Sequence, residues 1–153
     1  MATVTNTTRI TGPIEAVFDL ATTARLWPRW HPATAAVGGV TERPYLVGDA
    51  IHERISFHGF TANAVWRVSE HRRPERVAFR ADVSESHIVY TFAQDGNDVV
   101  FTRVLDYDEA KLLAAFKDAA RLRETMHQQS EEALAKLKGL IEGILREEQR
   151  GLQ

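Results

Sequence analysis

Residues 60–72 read Phe60-Thr61-Ala62-Asn63-Ala64-Val65-Trp66-Arg67-Val68-Ser69-Glu70-His71-Arg72, and their alternation decides the fold. Phe60, Ala62, Ala64, Trp66 and Val68 share one face, with Glu70 and Arg72 at its far end. Thr61, Asn63, Val65, Arg67, Ser69 and His71 share the other. Successive side chains of a strand point to opposite faces, so this reads as a long strand with its Phe60, Trp66 and Val68 face inward. Two alanines beside a tryptophan leave room that leucines would fill. In a protein core, where packing is normally dense, that is the first sign of a gap.

The period of two persists on both sides. Turn signals at Gly38-Gly39, Gly48-Asp49, His58-Gly59, Arg73-Pro74, Ser84-Glu85 and Asp95-Gly96-Asn97 separate strands expected at 34–40, 50–57, 60–71, 76–83, 86–94 and 98–106. Connections this short make an antiparallel meander, and none is long enough for the crossover a parallel sheet requires. Further upstream, Val4, Asn6, Thr8 and Ile10 alternate with threonines and Arg9, which predicts a first strand. Thr11-Gly12-Pro13 ends it. Ile14, Val17, Phe18 and Ala21 then recur at helical spacing, with Pro13 expected at the first helical position. Thr22 or Thr23 is expected to cap a second short helix through Ala24, Arg25 and Leu26. The segment Trp27-Pro28-Arg29-Trp30-His31-Pro32 reads as a turn carrying two indoles.

After Tyr107 the period becomes helical. Asp106 or Asp108 is placed to cap a stretch carrying Leu112, Leu113 and Phe116. The stripe continues through Leu122, Met126, Ala133, Leu137, Leu140, Ile141, Ile144 and Leu145 without a proline. Residues 122–145 as a helix would span roughly 36 Å, enough to cross a whole domain. Gly139 and Gly143 on this helix suggest a close approach of the sheet. An apolar sheet face needs a cover, and this helix is the one large cover available. The expected class is therefore α+β: one domain over residues 1–153, a curved antiparallel sheet wrapped around a long C-terminal helix, with two short helices after the first strand. Such a grip leaves concave apolar space beside the helix, where small ligands bind.

Composition narrows the class further. The 153 residues carry 44% hydrophobic and 26% charged side chains with a net charge of −2, so a basic nucleic-acid surface is not expected. Cysteine is absent, which removes disulfides and thiolate chemistry. Neither a signal segment nor an apolar run of membrane-spanning length is visible, and a cytoplasmic protein is expected. No histidine pattern with metal-ligand spacing occurs, so neither a metal nor another cofactor is expected.

Candidate site residues follow from the strand faces. Ile51, Ile55 and Phe57 share a face with Glu53. If that face is internal, Glu53 is a buried carboxylate, serving either as a general base or as the partner of an arginine such as Arg80 or Arg103. A slip of one residue would instead send Glu53 to solvent and His52 and Arg54 inward. His87 and Tyr90 lie on opposite faces, and Tyr90, beside Ile88 and Phe92, is the internal candidate. The expected ligand-contacting set is Trp27, Trp30, Trp66, Phe57, Ala64, Tyr90 and Met126. Glu53 and Arg72 are the catalytic candidates.

The run Ile10-Thr11-Gly12-Pro13-Ile14-Glu15-Ala16-Val17-Phe18-Asp19, followed by Trp27-Pro28-Arg29-Trp30, resembles the opening of the START-like superfamily, also called SRPBCC or birch-pollen-allergen-like. Val65-Trp66, the strand end from Ser69 to Arg72 and the final long helix fit the same template, so the resemblance spans essentially the whole chain. It is greatest to the polyketide cyclase/dehydrase branch, which includes aromatase/cyclases. The resemblance implies a helix-grip fold, a pocket lined by Trp27 and Trp66, and Arg72 as the group orienting polyketide oxygens. That subfamily's pocket tyrosine has no counterpart, since Thr34 stands near its place; the departure bears on cyclase activity and not on fold. Three functions remain open from sequence: a carrier or sensor for a hydrophobic small molecule, a polyketide cyclase or dehydratase, and an interaction module using its surface. The partner expected is a small hydrophobic molecule, and a homodimer is left open.

Overall fold

The computed structural model describes residues 1–57, 59–82 and 84–152, apart from the side chains of Phe57 and Ala115. The turn at His58-Gly59 thus lies partly outside the described residues. The strands are β1 (Ala2–Thr11), β2 (Thr34–Gly39), β3 (Ala50–Phe57), β4 (Phe60–Arg72), β5 (Arg76–Ala81), β6 (His87–Asp95) and β7 (Asp98–Tyr107). Among the described residues they form one sheet of seven strands in the order β1-β7-β6-β5-β4-β3-β2, every pair antiparallel. The meander is as its short turns require, and β1 closes it by pairing along the whole of β7. Two helices, α1 (Ile14–Ala21) and α2 (Trp27–Trp30), follow β1; α3 (Glu109–Phe116) and α4 (Ala119–Gly151) follow β7. This is the helix-grip arrangement.

At 33 residues, α4 is about 50 Å long. It is separated from α3 at Lys117, whose φ of 63° lies in the left-handed region, and Asp118 then starts it. The Asp118 carboxylate accepts from the backbone N–H of Ala120 at 3.0 Å and of Arg121 at 3.2 Å, meeting two donors that have no helical partner. Asp108 caps α3 in the same way, accepting from the N–H of Lys111 at 3.3 Å. Leu122, Ala133, Leu134, Leu137 and Ile141 form the buried stripe of α4 and join the sheet core.

Several local expectations are corrected. Thr22 and Thr23 do not cap forward: their hydroxyls donate back to the carbonyls of Phe18 at 2.8 Å and Asp19 at 2.7 Å, at the end of α1. The Trp27-Pro28-Arg29-Trp30 segment is one helical turn with Pro28 in its first turn. Residues three apart on a helix lie on one side, so both indoles turn inward. A Cβ added at Gly139 or Gly143 would meet nothing within 4 Å, so these glycines do not mark a close approach of the sheet.

The largest correction concerns the end of β4. Val68 pairs with Phe79 but Glu70 pairs with Ala78, so one extra residue is inserted on β4 between them. A bulge of this kind reverses the phase of alternation beyond it. His71, not Arg72, therefore falls on the inner face, opposite the buried Val77 and edge-on to Phe18 at 5.5 Å.

Candidate functional site

A cavity of about 290 Å³ lies between the sheet and the helices, walled largely by apolar atoms. The inner faces of β3 and β4 bring Glu53, Ala64 and Trp66 to it; α2 brings Trp27 and Trp30; β6 and β7 bring Tyr90 and Arg103; α4 brings Met126 and Ser130. Asn63 and Lys111 are exposed and border the same space, so it reaches the surface on their side. Trp27, Trp30, Trp66, Tyr90, Ala64, Met126 and Glu53, all proposed from sequence, are thus gathered around one space. The side chain of Phe57 is outside the described residues. Arg72 is elsewhere: its side chain is 64% exposed and pairs with Glu70 at 3.2 Å on the outer face of β4.

The aromatic wall continues into the core. Phe79 is edge-on to Tyr45 at 5.3 Å and to Tyr90 at 5.1 Å, and Tyr90 to Phe101 at 5.2 Å. These T-shaped contacts suit the ring quadrupoles and stiffen the wall. Tyr45, in the loop between β2 and β3, is fully buried although nothing in its local pattern marks it. Its backbone N–H donates to the carbonyl of Thr22, which ties that loop to the end of α1.

One part of the wall is polar. Glu53 is 7% exposed, and its register opposite Ala64 settles the alternation in favour of the internal face. Trp66 Nε1–H donates to Glu53 Oε1 at 3.0 Å, and the Thr34 hydroxyl donates to Oε2. Thr34 Oγ also contacts His31 Nδ1 at 3.0 Å, and Arg103 contacts His31 Nε2 at 3.3 Å. A hydroxyl has one proton, and that of Thr34 goes to Glu53. His31 Nδ1–H must therefore donate to Thr34, which leaves Nε2 to accept from Arg103. The chain runs in one sense, from Arg103 through His31 and Thr34 to Glu53.

Its electrostatics follow from burial. Desolvation raises the pKa of Glu53, against the pull of the Thr34 and Trp66 hydrogen bonds and the Arg103 charge. Desolvation and the same arginine hold His31 down at about 3, so it is neutral at physiological pH. Burial pushes Tyr90, directly across from Arg103 on the neighbouring strand, up to about 12.

Arg103 as a wall residue, His31 and Ser130 were not singled out from sequence. Arg103 had a readable signal: it interrupts the inward series Val99, Phe101, Leu105 and Tyr107 on β7, as Glu53 interrupts Ile51 and Ile55 on β3. His31 had none, because its position depends on how α2 turns into β2.

The family model described as polyketide cyclase / dehydrase and lipid transport matches residues 1–142. The chain belongs to that family. Among curated proteins none matches the sequence significantly. Similar folds occur in a Thermus thermophilus protein (14% identity, 92% of this chain and 97% of that one, TM-score 0.74). They also occur in the Aha1 dimer of Colwellia psychrerythraea (14% identity, 93% and 97%, TM-score 0.67). A third is the di-domain ARO/CYC BexL of the BE-7585A biosynthetic pathway (16% identity, 90% of this chain but 49% of that one, TM-score 0.66). At these identities the likeness is one of fold. Among the described residues, no helix is long and apolar enough to cross a membrane.

Proposed function

We propose that this family member binds a small, flat, largely apolar molecule in the cavity beneath α4, as a carrier or sensor. The unfilled volume of about 290 Å³ between alanines and indoles carries the reading. It lies at the small end of ligand pockets, which run from about 300 to 1,000 Å³. The family's description, which includes lipid transport, and the aromatase/cyclase relative of the same fold support it. Tryptophan emission and melting temperature should both respond to a panel of naphthalene-sized aromatics and short fatty acids. Ala64→Leu should fill the cavity and weaken that binding about tenfold or more while keeping the fold, because volume in the gap replaces ligand. Binding that survives unchanged in the leucine variant would place the ligand elsewhere.

A second reading, a cyclase or dehydratase, is favoured by one observation: Glu53, a carboxylate whose pKa burial raises, borders the cavity as an enolisation base must. In that case Glu53→Gln, which keeps the shape, should abolish turnover of a poly-β-keto substrate and leave binding intact. Equal turnover in both proteins would remove Glu53 from the chemistry. Arg72, ion-paired on the outer face, is not part of either proposal.

A further inference from the structure

The polar part of the wall is asymmetric. Arg103 is 3% exposed, and no carboxylate lies within ion-pair distance of it among the described residues. Its terminal nitrogens donate to Ser130 Oγ at 3.4 Å and His31 Nε2 at 3.3 Å, both neutral acceptors. Its Nε is buried without a hydrogen-bond partner among the described residues. The carboxylate that balances it, Glu53, is two side chains away and already holds two donors. A buried guanidinium with a spare donor is costly, and the strongest bonds it can donate are charge-assisted ones to a carboxylate.

Resting on the cavity reading above, we propose that the ligand is an acid whose carboxylate docks on Arg103, with its apolar body against Trp27, Trp30 and Trp66. Among the described residues, Glu53 and Asp108 are the carboxyl groups bordering the cavity. Glu53 is held away by Trp66 and Thr34, and Asp108 by its place at the start of α3. The His31 tautomer fixes the sense of the chain: Nε2 faces the arginine as an acceptor and cannot itself donate to the acid. Of Arg103 and Lys111, the cations bordering the cavity among the described residues, Arg103 is the buried one, so the recognition falls to it, with the Ser130 hydroxyl turning toward a second oxygen.

Three probes separate this proposal from the one beneath it. Methylnaphthalene reports the apolar cavity; naphthoate and its neutral isostere naphthamide report the charge. At neutral pH the wild-type protein should bind naphthoate at least about tenfold more tightly than naphthamide, as one charge-assisted bond implies. In Arg103→Gln that preference should fall to about twofold or less. Equal binding of naphthoate and naphthamide by the wild type, or a preference that persists in the variant, overturns the acid assignment while methylnaphthalene still upholds the cavity. If none of the three binds, the cavity reading fails and takes this one with it. Should the variant not fold, the wild-type Arg103 Nε–H resonance decides: it should move downfield with naphthoate and not with naphthamide. A signal unmoved at saturating naphthoate refutes the proposal.

Discussion

Replacing His31 by glutamine should remove a large part of the protein's acid sensitivity. Burial and the charge of Arg103 keep the imidazole neutral, with a pKa of about 3, whereas in the unfolded chain it titrates near its ordinary value of 6.5. The folded state therefore binds fewer protons than the unfolded state between these values. Stability is full above about pH 6.5 and is lost as pH falls toward the folded value. From pH 7 to pH 5 this one group costs about 2 kcal/mol, since a full unit of linkage is worth about 1.4 kcal/mol. His87, also held down by burial, acts in the same direction but is common to both proteins and cancels in their difference. The variant should be less stable than wild type at pH 7, having lost the tuned contact with Thr34 and Arg103. At pH 5 that gap should narrow by about 2 kcal/mol, a relative shift of order 1 M in the urea midpoint. Urea unfolding followed by tryptophan emission at both pH values measures it. Two proteins losing stability in parallel between pH 7 and pH 5 would falsify the assignment of a neutral, proton-refusing His31.

Other sites give simpler expectations. Trp66→Phe leaves Glu53 with one donor fewer and should destabilise by about 1–3 kcal/mol, more at pH 8 than at pH 5, because protonation relieves the orphaned carboxylate; calorimetry at the two pH values would show it. Asp118→Ala should cost about 1 kcal/mol through its two lost cap bonds and leave probe binding unchanged, readable from urea midpoints and titrations. Gly12→Ala should cost about 1–3 kcal/mol, since φ is +154° there and the new Cβ would meet Leu145 Cδ1 at 2.6 Å; a melting temperature equal to wild type would contradict it.

The strands, their order and the long helix were legible because each rests on a local period. Alternation from Phe60 to Val68, the turns at Gly48 and Gly96, and the stripe from Leu122 to Ile141 need no distant partner to be recognised. Alternation put Glu53 on the face of Ile51 and Ile55 but left a one-residue slip open, and the pairing of Glu53 with Ala64 decides for the internal face. The same reasoning failed at Arg72, because a bulge is set by the pairing of β4 with β5 and leaves no mark on β4 alone. Arg103 was visible only as a possible partner of Glu53, although its place among Val99, Phe101 and Leu105 made it internal on the same logic.

The amino-acid pattern by itself thus determined the α+β class, the antiparallel meander, the covering helix and most of the apolar wall, since these follow from periods of two and near four read along the chain. The phase of alternation past Val68, the burial of Tyr45 and the chain of hydrogen bonds from Arg103 to Glu53 were decided only in three dimensions. That chain joins β7, the α2–β2 junction and β3, segments far apart in sequence, and a contact between such segments exists only once the curved sheet has closed around its helix.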